Sequence, residues 1–120
     1  VGSEMCIRDR YWLLLFMENI LMETKEIIKI FEALSQENRL RIFRIMVEHS
    51  KDGITPTEII KIMGGVPKNT LSFHLNALMQ ANLCSFEKQG KSLIYKPNCC
   101  AIKVAAHFLL KDCCEGECQC

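Results

Sequence analysis

Between residues 18 and 110 the apolar positions follow a helical period in five stretches and an extended period in two. Over 18–32, Ile20, Ile27, Ile28 and Phe31 recur among Glu23, Lys25, Glu26 and Lys29, which predicts a first helix. Ser35 is a good N-cap for a second helix over 36–49. There Leu40, Phe43, Ile45, Met46 and Val47 form a broad apolar face, with Arg39, Arg41 and Arg44 expected in solvent. Lys51-Asp52-Gly53 reads as a turn. Thr55-Pro56-Thr57-Glu58 then opens a short third helix ending near Met63: Thr55 caps, Pro56 takes the first helical position, and Glu58 completes a capping box.

Gly64-Gly65 breaks the chain, and Pro67 permits a fourth helix over 67–81. Leu71, Leu75, Leu78 and Met79 form its buried stripe, opposite Asn69, Ser72, Phe73, Asn76 and Gln80. Asn82 suits the exit. After Asn82 the period changes, and residues 83–88 and 92–96 read as strands joined through Gln89-Gly90-Lys91 as a hairpin. Pro97 ends the second strand, and Asn98 can cap a last helix over 99–110 carrying Ile102, Ala105, Ala106, Leu109 and Leu110. The expected class is mainly α with a small β-hairpin. The element order is that of a winged helix-turn-helix, with the fourth helix as the groove reader and the hairpin as the wing.

Length and charge narrow what such a fold can do. The chain has 120 residues, 49% hydrophobic and 24% charged, which fits one globular domain and leaves little room for a two-lobed enzyme. No nucleophile–base pair or phosphate-binding loop is legible, so an enzyme is not expected. Net charge is only +1, so any DNA-binding surface must be local. Residues 54–96 supply it: Lys61, Lys68, Lys88, Lys91 and Lys96 stand against Glu58 and Glu87, a net +3. A solvated charged face is the competing reading. Candidate DNA contacts are Lys68, Asn69, Thr70, Ser72, Phe73, His74 and Asn76 on the fourth helix, with Lys88 and Lys91 beside the wing tip. Asn can bond adenine in a bidentate manner, Phe can touch a thymine methyl, and Ser or Thr can reach base edges or phosphates. For His74, a structural hydrogen bond or a phosphate contact competes with base reading.

Eight cysteines are unusual in a chain this short. Cys99, Cys100, Cys113, Cys114, Cys118 and Cys120 lie near the C-terminal end, with only Cys6 and Cys84 elsewhere. A disulfide framework spreads its cysteines, whereas adjacent thiols bond each other only with strain and can readily ligate one ion. Reduced thiols in a cytoplasmic protein are therefore expected. Tyr11-Trp12-Leu13-Leu14-Leu15-Phe16-Met17 is too short to span a bilayer and lacks a cleavage site, so no membrane partner is expected. The opening Val1-Gly2-Ser3-Glu4-Met5-Cys6-Ile7-Arg8-Asp9 resembles a translated sequencing-adapter read. On that reading residues 1–16 are a non-native leader, the natural start is Met17 or Met22, and Cys6 is discounted. Residues 17–110 then form the winged helix-turn-helix and dimerisation domain, followed by a Cys-rich tail over 111–120.

Leu34-Ser35-Gln36-Glu37-Asn38-Arg39-Leu40-Arg41-Ile42 resembles the opening of ArsR/SmtB-type metalloregulators. Thr70-Leu71-Ser72-Phe73-His74-Leu75-Asn76-Ala77-Leu78 resembles their recognition-helix signature T-x-S-x-H-L-x-x-L, and Gly90-Lys91 through Tyr95 their wing. The resemblance covers residues 18–114. It implies a homodimeric repressor, paired through its first and last helices, that binds a palindromic operator in double-stranded DNA and is released by an inducer. The sequence departs from the family in places. The Cys-x-Cys that many arsenic sensors carry at the third helix is absent from Ile54-Thr55-Pro56-Thr57-Glu58. Of the Asp and His ligands that zinc sensors place on the last helix, only His107 is available. The helix-turn-helix has one extra Gly, and Pro67 stands where a Ser cap is usual.

A second match replaces the missing thiol site. Phe108-Leu109-Leu110-Lys111-Asp112-Cys113-Cys114, with Cys118 and Cys120, resembles the tail of an arsenite-responsive subgroup in which an adjacent Cys pair and one downstream Cys bind As(III). Soft thiolates suit As(III) or Sb(III), which take three sulfurs in a pyramid. Cys120 is the favoured third ligand and Cys118 the close alternative. Four thiols could equally wrap tetrahedral Zn or Cd. Cys99 and Cys100 lie about 21 Å up the helix from Cys113. They are an auxiliary or cross-dimer metal site, or small hydrophobes at a helix start. Cys84 reads as a structural strand residue. Within the resemblance, the inducer acts by shifting the dimer-interface helix. The alternatives are a Zn/Cd-responsive or thiol-redox-responsive regulator of the same fold, or a thiol metal-buffering protein without specific DNA binding.

Overall fold

Capping chemistry sets where the helices begin. In the computed structural model, which describes residues 24–111 and 113, the elements are α1 (Thr24–Leu34), α2 (Glu37–Glu48), α3 (Pro56–Ile62), α4 (Lys68–Gln80), β1 (Cys84–Gln89), β2 (Ser92–Pro97) and α5 (Cys99–Leu110). The expected leader, the expected start of the first helix at residue 18, and Cys114, Cys118 and Cys120 lie outside the described residues. Thr55 and Glu58 form the expected capping box: the Thr55 hydroxyl accepts from the Glu58 N–H at 3.2 Å, and the Glu58 carboxylate accepts from the Thr55 N–H at 3.0 Å. The bonds its carboxylate accepts, first from the Thr55 N–H and then from the Thr55 hydroxyl, hold the Glu58 carboxyl below its ordinary range. Asn98 caps α5 through Ala101, as expected.

Two caps differ from expectation. Gln36, not Ser35, caps α2: its side-chain oxygen accepts from the Arg39 N–H at 3.0 Å. The Ser35 hydroxyl instead donates back to the Glu32 carbonyl at 2.8 Å, closing the end of α1. At α4, Pro67 stands one residue outside the helix and makes no side-chain cap bond. Proline locks its own φ but offers no side-chain acceptor.

The core lies where the helices meet the base of the hairpin. Ile42 and Met46 of α2, Ile59 of α3, Leu71 and Leu78 of α4, and Leu83 before β1 are fully buried. Ile27, Ile30 and Ala33 of α1 and Val104 and Ala105 of α5 join the same cluster. The buried face of α1 is rotated from the expected one: Ile30 and Ala33 point inward, while Ile28 and Phe31 are exposed. On α2, Ile42 is buried and Leu40 exposed. The α5 face differs too, with Leu109 and Leu110 exposed.

β1 and β2 pair antiparallel, with Gln89 opposite Ser92 across a tight Gly90-Lys91 turn. Ile54 and Tyr95 exchange backbone hydrogen bonds at 3.0 and 2.8 Å, fastening β2 to the segment before α3. Asn82, in the left-handed conformation at φ 63°, turns the chain out of α4. Gly64 and Gly65, at φ 85° and 102°, turn it from α3 into α4. The architecture is a winged helix-turn-helix in which α3 and α4 form the helix-turn-helix and β1–β2 the wing.

Candidate nucleic-acid interface

α4 is divided by its own periodicity. Leu71, His74, Leu75 and Leu78, at i, i+3, i+4 and i+7, face the core. Lys68, Asn69, Ser72, Phe73 and Asn76 are exposed, and Thr70 is half-buried. The side chains grouped in the sequence as DNA contacts therefore share the outer surface of α4, with one correction. His74 is only 5% exposed and belongs to the core face. The helical period itself carried that signal, since position 74 lies three residues after Leu71 and four before Leu78, on the same side of the helix.

His74 is the buried polar group of this face. Its Nδ1 has no hydrogen-bond partner among the described residues. Burial, and then the nearby Arg39 charge, hold its pKa below the ordinary 6.5. A neutral imidazole packed in this way supports the helix from behind and does not present a charge to phosphate.

Phe73 stands out from α4 at 63% exposure. Its ring meets the His74 ring edge-on, with centroids 5.6 Å apart and planes at 62°. The Arg39 guanidinium lies 5.8 Å from the Phe73 ring centroid, within cation–π range. The expectation of a solvated Arg39 is thus corrected: Arg39 is half-buried and its Nε is shielded from solvent. No sequence signal pointed to this contact, because it joins α2 to α4 across 34 residues of chain.

The wing supplies the second half of the surface. Cys84 is buried, while Ser85 through Gln89 are exposed, so β1 leaves the core after its first residue. Lys88 and Lys91 are exposed on either side of Gly90, and Lys96 is exposed further along β2. Phe86 packs on Tyr95 with ring centroids 5.3 Å apart, which stiffens the hairpin at its root. Burial, and secondarily Cys84, raise the Tyr95 pKa. The surface therefore combines amides, a hydroxyl and an apolar ring on one helix with flanking ammonium groups, a donor set suited to base edges and phosphates.

The cysteines divide differently. Burial pushes the Cys84 thiol up to about 12, so it remains protonated and acts as a small hydrophobe. Cys99 and Cys100 are half-buried in the first turn of α5, and Cys113 is half-buried beyond its end. α5 is continuous from Cys99 to Leu110. Among the described residues, no group of three or more His, Cys, Asp or Glu side chains is placed to hold a metal ion. Three of the four tail thiols fall outside those residues. Among the described residues, no helix is long and apolar enough to cross a membrane.

Residues 34–83 match the model of a helix-turn-helix domain family. No curated protein matches the chain. Several solved structures share its fold. An ArsR-like transcriptional regulator from Rhodococcus sp. RHA1 is 24% identical with a TM-score of 0.62, over 76% of this chain and 82% of that one. The transcriptional repressor PagR of Bacillus anthracis is 20% identical with a TM-score of 0.59, over 72% and 97% of the respective chains. The transcriptional repressor BigR from Xylella fastidiosa is 21% identical with a TM-score of 0.58, over 79% and 95%. At these identities the likeness establishes the fold.

Proposed function

We propose that this chain is an ArsR-type transcriptional repressor that binds double-stranded DNA as a homodimer. The observation that carries the reading is the outer face of α4, where Lys68, Asn69, Ser72, Phe73 and Asn76 stand exposed while the wing offers Lys88 and Lys91. In this reading α4 enters the major groove and the wing lysines contact the flanking backbone. The helix-turn-helix match and the regulators that share the fold support it. Dimerisation through α1 and α5 is supported by the large apolar side chains both helices leave exposed, namely Ile28, Phe31, Phe108, Leu109 and Leu110. Two copies related by a two-fold axis suit a palindromic operator.

As(III) or Sb(III) at Cys113, Cys114 and Cys120, with Cys118 as alternative third ligand, is the proposed inducer. Support comes from the clustered thiols and their softness. A gel shift on the DNA upstream of the gene, at fixed salt, tests both levels. Specific retardation, reversed by As(III) or Sb(III), is the expected result. Release by Cd(II), Zn(II) or peroxide but not by As(III) would overturn the inducer and leave the repressor. Binding that is equally strong to unrelated DNA would overturn the repressor.

A further inference from the structure

A groove of about 290 Å³ lies where the end of α1, the start of α2 and the second half of α4 converge. Its floor is apolar and shallow, made by Ala33, Ala77 and Ala81. Lys29, Glu32, Arg39 and Gln80 line it with polar groups. Among the described residues neither Lys29 nor Arg39 is in an ion pair; the pair on α2 is Arg44–Glu48, outside the groove. The Arg39 Nε is shielded from solvent and has no hydrogen-bond acceptor among the described residues. An atom so enclosed is out of reach of a groove occupant; the lining offers the rest of the guanidinium and the Lys29 ammonium, cations for which a carboxylate is the fitting partner. The volume falls just below the about 300–1,000 Å³ range of drug-sized sites, which suits only a small ligand.

We infer that this groove is a binding site for a small organic carboxylate, held by Lys29 and Arg39 over the alanine floor. Glu32 and Gln80 face the remainder of such a molecule and favour one that also carries a hydrogen-bond donor. No described cysteine lines it. It is joined to the outer face of α4 through one side chain: Arg39 lines the groove and also lies over the Phe73 ring. Phe73, Ala77, Gln80 and Ala81 form one stripe at i, i+4, i+7 and i+8, so occupant and ring share a helix face. A carboxylate that draws the guanidinium toward itself weakens its hold on Phe73. That consequence rests on the DNA-binding reading; the site itself does not.

The test is calorimetric titration of the free, full-length protein, without DNA, at low salt. Acetate, benzoate, glutamate and 4-aminobutyrate are the probes, and inorganic phosphate is the control. The variants are Lys29→Ala, which removes a cation from an exposed position, and Ala77→Leu, which fills the floor. Unchanged circular dichroism shows that each is folded. Saturable binding of at least one carboxylate, weakened about tenfold or more in both variants, is expected. No carboxylate binding at millimolar concentrations, or binding that both variants leave unchanged, overturns the site. So does phosphate binding alone, combined with weaker DNA binding by Lys29→Ala, which would mark the groove as a contact for the DNA backbone. Because the titration contains no DNA, failure to bind an operator leaves its result standing.

Discussion

Gly53→Ala should be among the most damaging single-methyl additions to this chain. Gly53 links the end of α2 to Ile54, which is bridged to Tyr95 of β2. Its N–H donates to the His49 carbonyl at 2.7 Å, and the next residue, Ile54, bonds Tyr95. Its φ is +84°, where an L side chain costs about 1–2 kcal/mol. A Cβ there would also overlap the Ile94 side chain and press within 3.2 Å of the Tyr95 carbonyl oxygen. Ile94 is half-buried, and forcing it aside adds about 1–3 kcal/mol. The total is about 2–5 kcal/mol. Gly64 and Gly90 separate the two contributions, since both have positive φ but open space at the Cβ position. Gly64→Ala and Gly90→Ala should therefore lose only the backbone part, about 1–2 kcal/mol. Urea unfolding at pH 7, followed by circular dichroism, measures all three. A Gly53→Ala loss no larger than that of Gly90→Ala would refute the claim that Gly53 is packed closely against β2.

Three further outcomes follow from the same structure. Thr55→Ala removes the capping box of α3 and should cost about 1 kcal/mol in urea unfolding, with Thr55→Ser retaining most of it. Because the folded-state pKa of His74 is depressed, folding holds it neutral while the unfolded chain takes up a proton. Its contribution is thus complete above the unfolded value of 6.5 and is lost as pH falls through the folded value. A pH series of melting curves should show acid destabilisation that shrinks in His74→Leu; an unchanged slope would contradict the burial. Under the DNA-binding reading, Lys91→Ala should weaken operator and non-operator binding alike and lower the salt slope by about 1, whereas Asn69→Ala should reduce discrimination between them.

Much of the fold was legible because short-range rules set it. Thr55, Pro56 and Glu58 form a cap within one turn, so neighbouring residues decide the start of α3. The hairpin followed from the change of period after Asn82 and the turn residues Gln89-Gly90-Lys91, and the α5 start from Asn98. The Gln36 cap was missed because Ser35, the stronger intrinsic capper, is already engaged by Glu32. The α1 face was misread because that helix has two apolar sides. Ile28 and Phe31 are as hydrophobic as Ile27 and Ile30, and the positions of α2, α4 and α5 against α1 select which pair is buried.

The candidate interface divides in the same way. The amides, hydroxyl and ring of α4 and the wing lysines were visible as a pattern, because a helix period and a hairpin turn place them without reference to the rest of the chain. The inward turn of His74, the Arg39 contact with Phe73 and the groove beneath it came from packing α1 and α2 onto α4. The amino-acid sequence by itself determined the order of elements and the outer chemistry of the recognition helix, since both arise from neighbours within about one or two turns. Tertiary structure alone decided which apolar face is buried and where Arg39 goes. Those choices depend on contacts between residues far apart in the chain, which compete for the same buried volume.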